Sequence, residues 1–126
     1  MTMVTTGLNA VASLFAKSGN TVQYTAIGAG STTITVGDTT LNSEFDRNIL
    51  IQPEQDLQDL LIVEGANVTA ISNFSSVEMS GLTVREFGTF NTAISGTMFN
   101  REVIGSVTFD GSIELQTHNT FRFTQA

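Results

Sequence analysis

Residues 81–91 read Gly-Leu-Thr-Val-Arg-Glu-Phe-Gly-Thr-Phe-Asn. Leu82, Val84 and Phe90 share one parity, and Phe87 falls on the other beside Arg85. Successive side chains of a strand point to opposite sides of the pleat, so an exposed strand keeps its large apolar groups on one face. Apolar groups on both parities predict a central strand buried on two faces. Gly88 within it predicts a bulge or a close backbone approach. The adjacent charges Arg85 and Glu86 would project to opposite faces, so each needs its own partner near the edge of the core, where an unpaired charge is costly.

Working outward toward the C-terminus, residues 97–109 are strand-like with an interruption at Gly105. Asp110-Gly111 predicts a two-residue hairpin turn between residues 106–109 and 112–115. From residue 113 to 124 the alternation is strict. Ile113, Leu115, Phe121 and Phe123 share one face, and Glu114, Gln116, His118, Thr120, Arg122 and Thr124 share the other. This is the pattern of a half-buried strand with one wet side. Its length is large for a small domain, and one end is expected to reach into a partner.

Working toward the N-terminus, residues 75–81 read as a turn. Residues 67–74 read as a strand, the hairpin partner of the apolar run 60–64 across Gly65-Ala66. Residues 48–52 read as a strand stopped by Pro53, the only proline. Residues 38–48 are expected to form an irregular excursion that drops Leu41 and Phe45 into the core and leaves Glu44, Asp46 and Arg47 exposed. Residues 21–27 read as a strand ended by Gly28-Ala29-Gly30-Ser31. Residues 32–36 read as a short strand or extended loop, with a turn at Gly37-Asp38. Residues 5–18 read as the one helix, with Val4, Leu8, Val11 and Phe15 on one apolar stripe, Leu14 alongside, and Gly19-Asn20 as the stop. The expected fold is mainly β: a single antiparallel β-sandwich-like domain over residues 1–126, with one N-terminal α-helix at about 5–18.

Composition narrows the function classes. Charged residues make up 13% of the 126-residue chain, against about a quarter in ordinary domains. Its polar surface must be largely neutral, which fits strand-rich chains and chains that hide surface in assemblies. The formal charge of −7, from 12 acidic and 5 basic residues, leaves no basic patch for nucleic acid or anionic membranes. The absence of cysteine excludes disulfides, thiolate metal sites and a cysteine nucleophile. No leader pattern opens the sequence and no apolar run approaches membrane-spanning length, so a soluble protein without a visible export signal is expected.

Catalytic signals are weak. His118 is the only histidine and sits on the polar face of the last strand with no orienting carboxylate, so no Ser-His-Asp arrangement is credible. Gly28-Ala29-Gly30 lacks the third glycine of a dinucleotide loop, since Thr33 stands there, and reads as a structural turn. Glu54, Asp56 and Asp59, with Glu64, lack the spacing of a calcium loop and read as a solvated acidic loop. Asn67-Val68-Thr69 and Asn73-Phe74-Ser75 match the glycosylation triplet by chance. No catalytic, cofactor-binding or metal-binding residue is assigned, no cofactor is expected, and the chain is not read as an enzyme.

Three segments resemble, in matching order, short tailed-phage structural proteins related to the N-terminal virion-attaching domain of phage tail-collar and tail-fibre proteins. They are the opening helix from Thr6-Gly7-Leu8-Asn9 to Lys17-Ser18-Gly19; Ala26-Ile27-Gly28-Ala29-Gly30 with Gly37-Asp38-Thr39-Thr40-Leu41-Asn42-Ser43-Glu44; and residues 82–91. The last looks like the family's apolar-Arg-Glu-Val-Gly-Leu-Phe-Asp motif. Phe87, Thr89 and Asn91 depart from it, residues 53–64 are longer and more acidic than the family pattern, and residues 117–124 lack the family's Trp. The resemblance implies a β-sandwich-like domain with an N-terminal helix, no enzymatic activity, and repeated copies in a virion. The expected role is a structural component of a tailed virus particle: a tail, collar or fibre-attachment protein, or a capsid-surface decoration or turret protein. It would bind other copies of itself, with a trimer favoured, and neighbouring virion proteins, using Phe87, Phe90, Phe99, Phe121 and Phe123 in its core and subunit contacts. The alternative is a glycan-binding β-sandwich at the virion surface. That role calls for an exposed aromatic platform, whereas Trp is absent and Tyr24 is the only tyrosine.

Overall fold

The computed structural model describes residues 4–17, 22–51 and 61–124. Two antiparallel sheets and an N-terminal helix make up the domain. Strands β1 (Tyr24–Gly28), β2 (Glu44–Ile49), β5 (Thr83–Phe90) and β6 (Met98–Thr108) form a four-stranded sheet in the order β2-β1-β5-β6. Strands β3 (Leu61–Glu64), β4 (Asn67–Phe74) and β7 (Leu115–Arg122) form a three-stranded sheet in the order β3-β4-β7. Helix α1 (Thr5–Lys17) packs on β3 and β4, and a one-turn helix α2 (Ser76–Met79) follows β4. The mainly β, sandwich-like fold with an N-terminal helix expected from the sequence is present.

Strand β5 is central, between β1 and β6, and both its faces are covered. Across β1 and β5, Ile27 stands opposite Phe87 and Thr25 opposite Thr89. Ile27 and Phe87 pack with Phe74, Met79, Val84 and Phe109, so this face looks onto the second sheet. On the opposite face, Gly28 stands across from Glu86 and Ala26 from Gly88. Residues 29–43 roof that face, and Leu41 from the roof packs with Ala26, Phe90 and Met98. The two-faced apolar pattern of residues 81–91 thus has a specific cause: a sheet below and a loop above. Gly88 marks a close approach, since a Cβ there would lie 2.5 Å from the Asn100 carbonyl oxygen and 3.0 Å from Leu41 Cδ2.

The hairpin β3–β4 turns at Gly65-Ala66 as expected, with Glu64 opposite Asn67. Strand β7 buries Thr117 and Asn119 and exposes Gln116, His118 and Thr120, the alternation read from its sequence. Leu41 and Phe45 do enter the core or its margin.

Several expectations need correction. The Asp110-Gly111 turn joins no hairpin: β6 and β7 belong to different sheets, and Asp110 instead accepts hydrogen bonds from Ser112 N and Oγ. Residues 44–49 are a strand, not an excursion, paired with β1 with one register shift at Ile27/Gly28, so the strand expected at 48–52 holds at 48 and 49 and not at 50 and 51. Gln52 and the acidic residues 54–59 lie outside the described residues. Residues 75–81 contain α2, whose Ser75 accepts from Glu78 N while Glu78 Oε1 accepts from Ser75 N, a capping box that the four-residue pattern Ser-x-x-Glu could have signalled. On α1 the buried groups are Ala12 and Ala16, with Phe15 packed between Phe99, Phe121 and Phe123. Val4 and Leu14 are mostly exposed. Small alanines let the helix axis approach β3 and β4 closely, which turns the expected stripe partly outward.

A polar row crosses the sandwich interior. Asn48, Thr25, Thr89 and Asn100 are consecutive cross-strand partners on β2, β1, β5 and β6. Thr89 Oγ1 donates to Asn100 Oδ1, and Asn100 Nδ2 donates 2.9 Å to Asn119 Oδ1 on the facing sheet. Asn48 Nδ2 donates to the Asn73 carbonyl and to Glu78, and Ser72 Oγ donates to the Ile49 carbonyl. Partly buried polar contacts such as Thr89–Asn100–Asn119 favour one placement of the two sheets, because misregistered partners leave desolvated groups unmade.

Candidate docking site: a loop clamped by buried charge

The roof loop 29–43 is held by one carboxylate. Glu86 is fully buried and accepts four hydrogen bonds: from Gly30 N at 2.7 Å, Ser43 N at 2.7 Å, Asn42 N at 2.8 Å and Arg101 Nε at 2.9 Å. Both ends of the loop are therefore tied to the same side chain. A buried carboxylate is tolerated only with such a set of donors. Its neighbour Arg85 reaches the Ala29 carbonyl instead. The two adjacent charges have separate partners, but both charges reach the roof loop, and the β5–β6 ladder shifts register between Val84 and Glu86.

Arg101 extends the clamp. Its side chain is 2% exposed, and Nη1 donates to the Thr32 carbonyl and to Asp38 Oδ2 at 3.2 Å, while Nη2 donates to Thr32 Oγ1. Asp38 in turn accepts from Thr35 N and Thr35 Oγ1, both at 3.0 Å, closing a tight turn at the loop's far end. Glu86, Arg101 and Asp38 thus join the strand core, the loop base and the loop tip in one charge network.

The loop lies almost in contact with its clamp. A Cβ on Gly28 would lie 2.8 Å from Glu86 Oε2 and closer still to the Ser43 carbonyl oxygen, and one on Gly30 would collide with Asn42 and Glu86. The Gly-Ala-Gly sequence is thus structural, as expected, but its role is to let two backbone segments close over a carboxylate.

A second clamp stands beside the first. Arg47, expected to be exposed, has a side chain only 8% exposed. Its guanidinium lies 3.7 Å from the Phe90 ring centroid, binds Glu44 through two nitrogens at 2.9 and 2.7 Å, and donates to the Thr92 and Ser95 carbonyls. The parity of Arg47 with Ala26 places it on the roofed face. A sheet edge alone, read from sequence, gave no reason to expect that.

Above the clamp the loop is presented to solvent. Residues 31–37 are all exposed, with Ile34 at 43% and Val36 at 111% relative exposure. Beside them opens a cleft of about 370 Å³ lined by Ile34, Val36, Asp38, Met98, Phe99 and Arg101, among others. A smaller hollow of about 280 Å³ is lined by Thr32, Thr40 and Asn42, with Asp38 and Arg101 shared with the first.

The residues weighed for chemistry are not gathered here. His118 lies on the exposed face of β7, its Nε2 2.6 Å from Gln116 Oε1. Glu64 is exposed at the β3–β4 turn. Among the described residues no group of three or more His, Cys, Asp or Glu could hold a metal, and no helix is long and apolar enough to cross a membrane.

Burial opposes ionisation of Glu86, but the Asn42 amide, Arg101 and the Ser43 and Gly30 amides together outweigh it and hold its carboxyl below the usual range. A carboxyl lowered in the folded state favours folding above its unfolded pKa, and that contribution fades as pH falls through the folded value. Chemical denaturation from pH 7 downward should show stability falling below about pH 4. A Glu86→Gln variant should be less stable at pH 7 and show a shallower acid slope. Asp46 runs the other way. Burial and the facing Glu78 carboxyl raise it, so its contribution is lost as pH rises through the folded value.

No protein-family model matches the sequence, and a search of curated proteins finds no match.

Proposed function

We propose that this chain is a non-enzymatic structural module of a tailed-virus particle, a tail, collar, fibre-attachment or capsid-surface protein, which works by self-association and by docking to neighbouring virion proteins. The observation that carries the reading is the use made of charge. Buried Arg101 and Glu86, with partly exposed Asp38, fix a loop whose exposed residues 31–37 carry no charge and include Ile34 and Val36. Holding a loop in one shape before contact lowers the ordering cost of association. The resemblance to phage tail-collar and tail-fibre attachment domains supplies the particle. The exposed large apolar side chains among the described residues are all Val, Leu or Ile, which favours packing over the aromatic stacking that a glycan site would use. The phenylalanines go largely to the chain's own core: Phe90 is buried, and Phe87, Phe99, Phe121 and Phe123 pack against the core clusters.

The mass of the purified protein in solution, followed by light scattering across dilution and salt, tests this reading. A stable closed assembly, with a trimer favoured, is the expected result. A well-folded monomer at every concentration would remove self-association from the proposal.

A further inference from the structure

We propose that one water molecule is bound inside the sandwich, where it accepts from Asn119 Nδ2 on β7 and from the Thr25 hydroxyl on β1. Among the described residues these are the two buried side-chain polar atoms without a hydrogen-bond partner. Thr25 is 0% and Asn119 4% exposed, so bulk solvent does not serve them. Buried polar groups pair with protein or with ordered water, because leaving one unmade costs its full desolvation. The two orphans are not in direct hydrogen-bond reach of each other, and a bridging water spans such a separation. They also belong to one row. Thr25 stands across from Thr89, and cross-strand neighbours lie about 4.5–5.5 Å apart at Cβ. Thr89 Oγ1 donates to Asn100 Oδ1, and Asn100 Nδ2 donates to Asn119 Oδ1 on the facing sheet. Each bond sets the direction of the next, so Asn119 is left with Nδ2 to donate. The row begins beside one orphan and ends on the other.

The donor chemistry selects the ligand. An amide nitrogen only donates, which excludes a cation. An anion would bring a charge among neutral side chains, and an unpaired buried charge is costly. Water is neutral and accepts from both groups at once. Its own protons have takers as well. Thr117 and Ser72 form the next buried cross-strand pair along the facing sheet. Ser72 Oγ donates to the Ile49 carbonyl and Thr117 Oγ1 to the Ser72 carbonyl, so both hydroxyl oxygens keep lone pairs to offer. A site with two to four polar partners of this kind is what holds a buried water.

Magnetic relaxation dispersion of the water signal, which counts waters held inside a protein for longer than it tumbles, tests the site in the wild type, Thr25→Val and Thr25→Ser. Thermal melts accompany it. Valine has nearly the shape of threonine, so Thr25→Val removes the hydroxyl and little else. That variant is expected to hold one long-lived water fewer and to melt roughly 3–8 °C lower, because Asn119 loses the bridge that satisfied it. Thr25→Ser keeps a hydroxyl and should keep the wild-type count. Equal counts in the wild type and Thr25→Val would overturn the proposal. So would a higher melting temperature for Thr25→Val, the result expected if the hydroxyl were buried unpaired and its removal relieved that cost. If Thr25→Val does not fold, the wild type decides. A nuclear Overhauser contact between a long-lived water and the Asn119 side-chain amide protons supports the site, and its absence overturns it.

Discussion

Arg101→Met is expected to destabilise the domain by about 3–5 kcal/mol, because it removes one partner of a buried ion pair and leaves the other charge uncompensated. Glu86 is fully buried and Arg101 is 2% exposed, so water cannot replace the lost guanidinium without opening the roof. Three backbone amides remain on the carboxylate, and they keep the loss from exceeding that range. Methionine preserves most of the aliphatic stem, so the effect reports charge more than packing. The size matters against a total stability of about 5–15 kcal/mol for a domain. Urea denaturation at pH 7 measures it. The double variant Glu86→Gln, Arg101→Met should lose clearly less than the sum of the two single losses, since the charge left stranded by either change is then gone. A loss below about 1 kcal/mol for Arg101→Met would place the pair among solvated surface pairs.

Gly28→Ala is expected to cost about 1–3 kcal/mol, in the range of an overpacked core. The added methyl would lie 2.8 Å from Glu86 Oε2 and against the Ser43 carbonyl oxygen. The second contact is backbone, held by the pairing of Gly28 with Glu44 and by the Ala29 amide donating 2.9 Å to the Ser43 carbonyl, so it cannot swing aside as a side-chain end would. Gly105→Ala is the control. A Cβ at that position meets nothing within 4 Å, and alanine in an exposed strand should be neutral or stabilise by up to about 1 kcal/mol. Thermal melts should place Gly28→Ala below the wild type and Gly105→Ala at or above it. Equal, small effects would mean that the loop does not close on the carboxylate.

The two-faced strand could be read from residues 81–91 because its cause is local: apolar groups on both parities have no other use. The half-buried β7 and the β3–β4 hairpin were legible for the same reason. The need for partners at Arg85 and Glu86 was legible, but the identity of those partners was not. Gly30, Asn42 and Ser43 contribute through backbone amides, which leave no side-chain signature, and Arg101 lies 15 residues from Glu86, joined only by strand register. The Asp110-Gly111 error has a physical root as well. A hairpin turn and a connection between stacked sheets make the same local demands on the chain, and only the distant partners of β6 and β7 distinguish them. Arg47 was misread because a polar residue beside other charges usually stays in water, and its place over Phe90 depends on three strands meeting in register.

Amide hydrogen exchange at Gly30, Asn42 and Ser43 tests the clamped loop most directly. Asn42 and Ser43 are exposed residues, so burial alone gives them no protection, and only their bonds to Glu86 would slow exchange. All three amides should exchange with the slow central strand β5, and Arg101→Met should speed all three together. Exchange of these amides at the rate of the loop tip, residues 33–36, would show that the carboxylate does not hold the loop, and the preformed docking surface would fall with it.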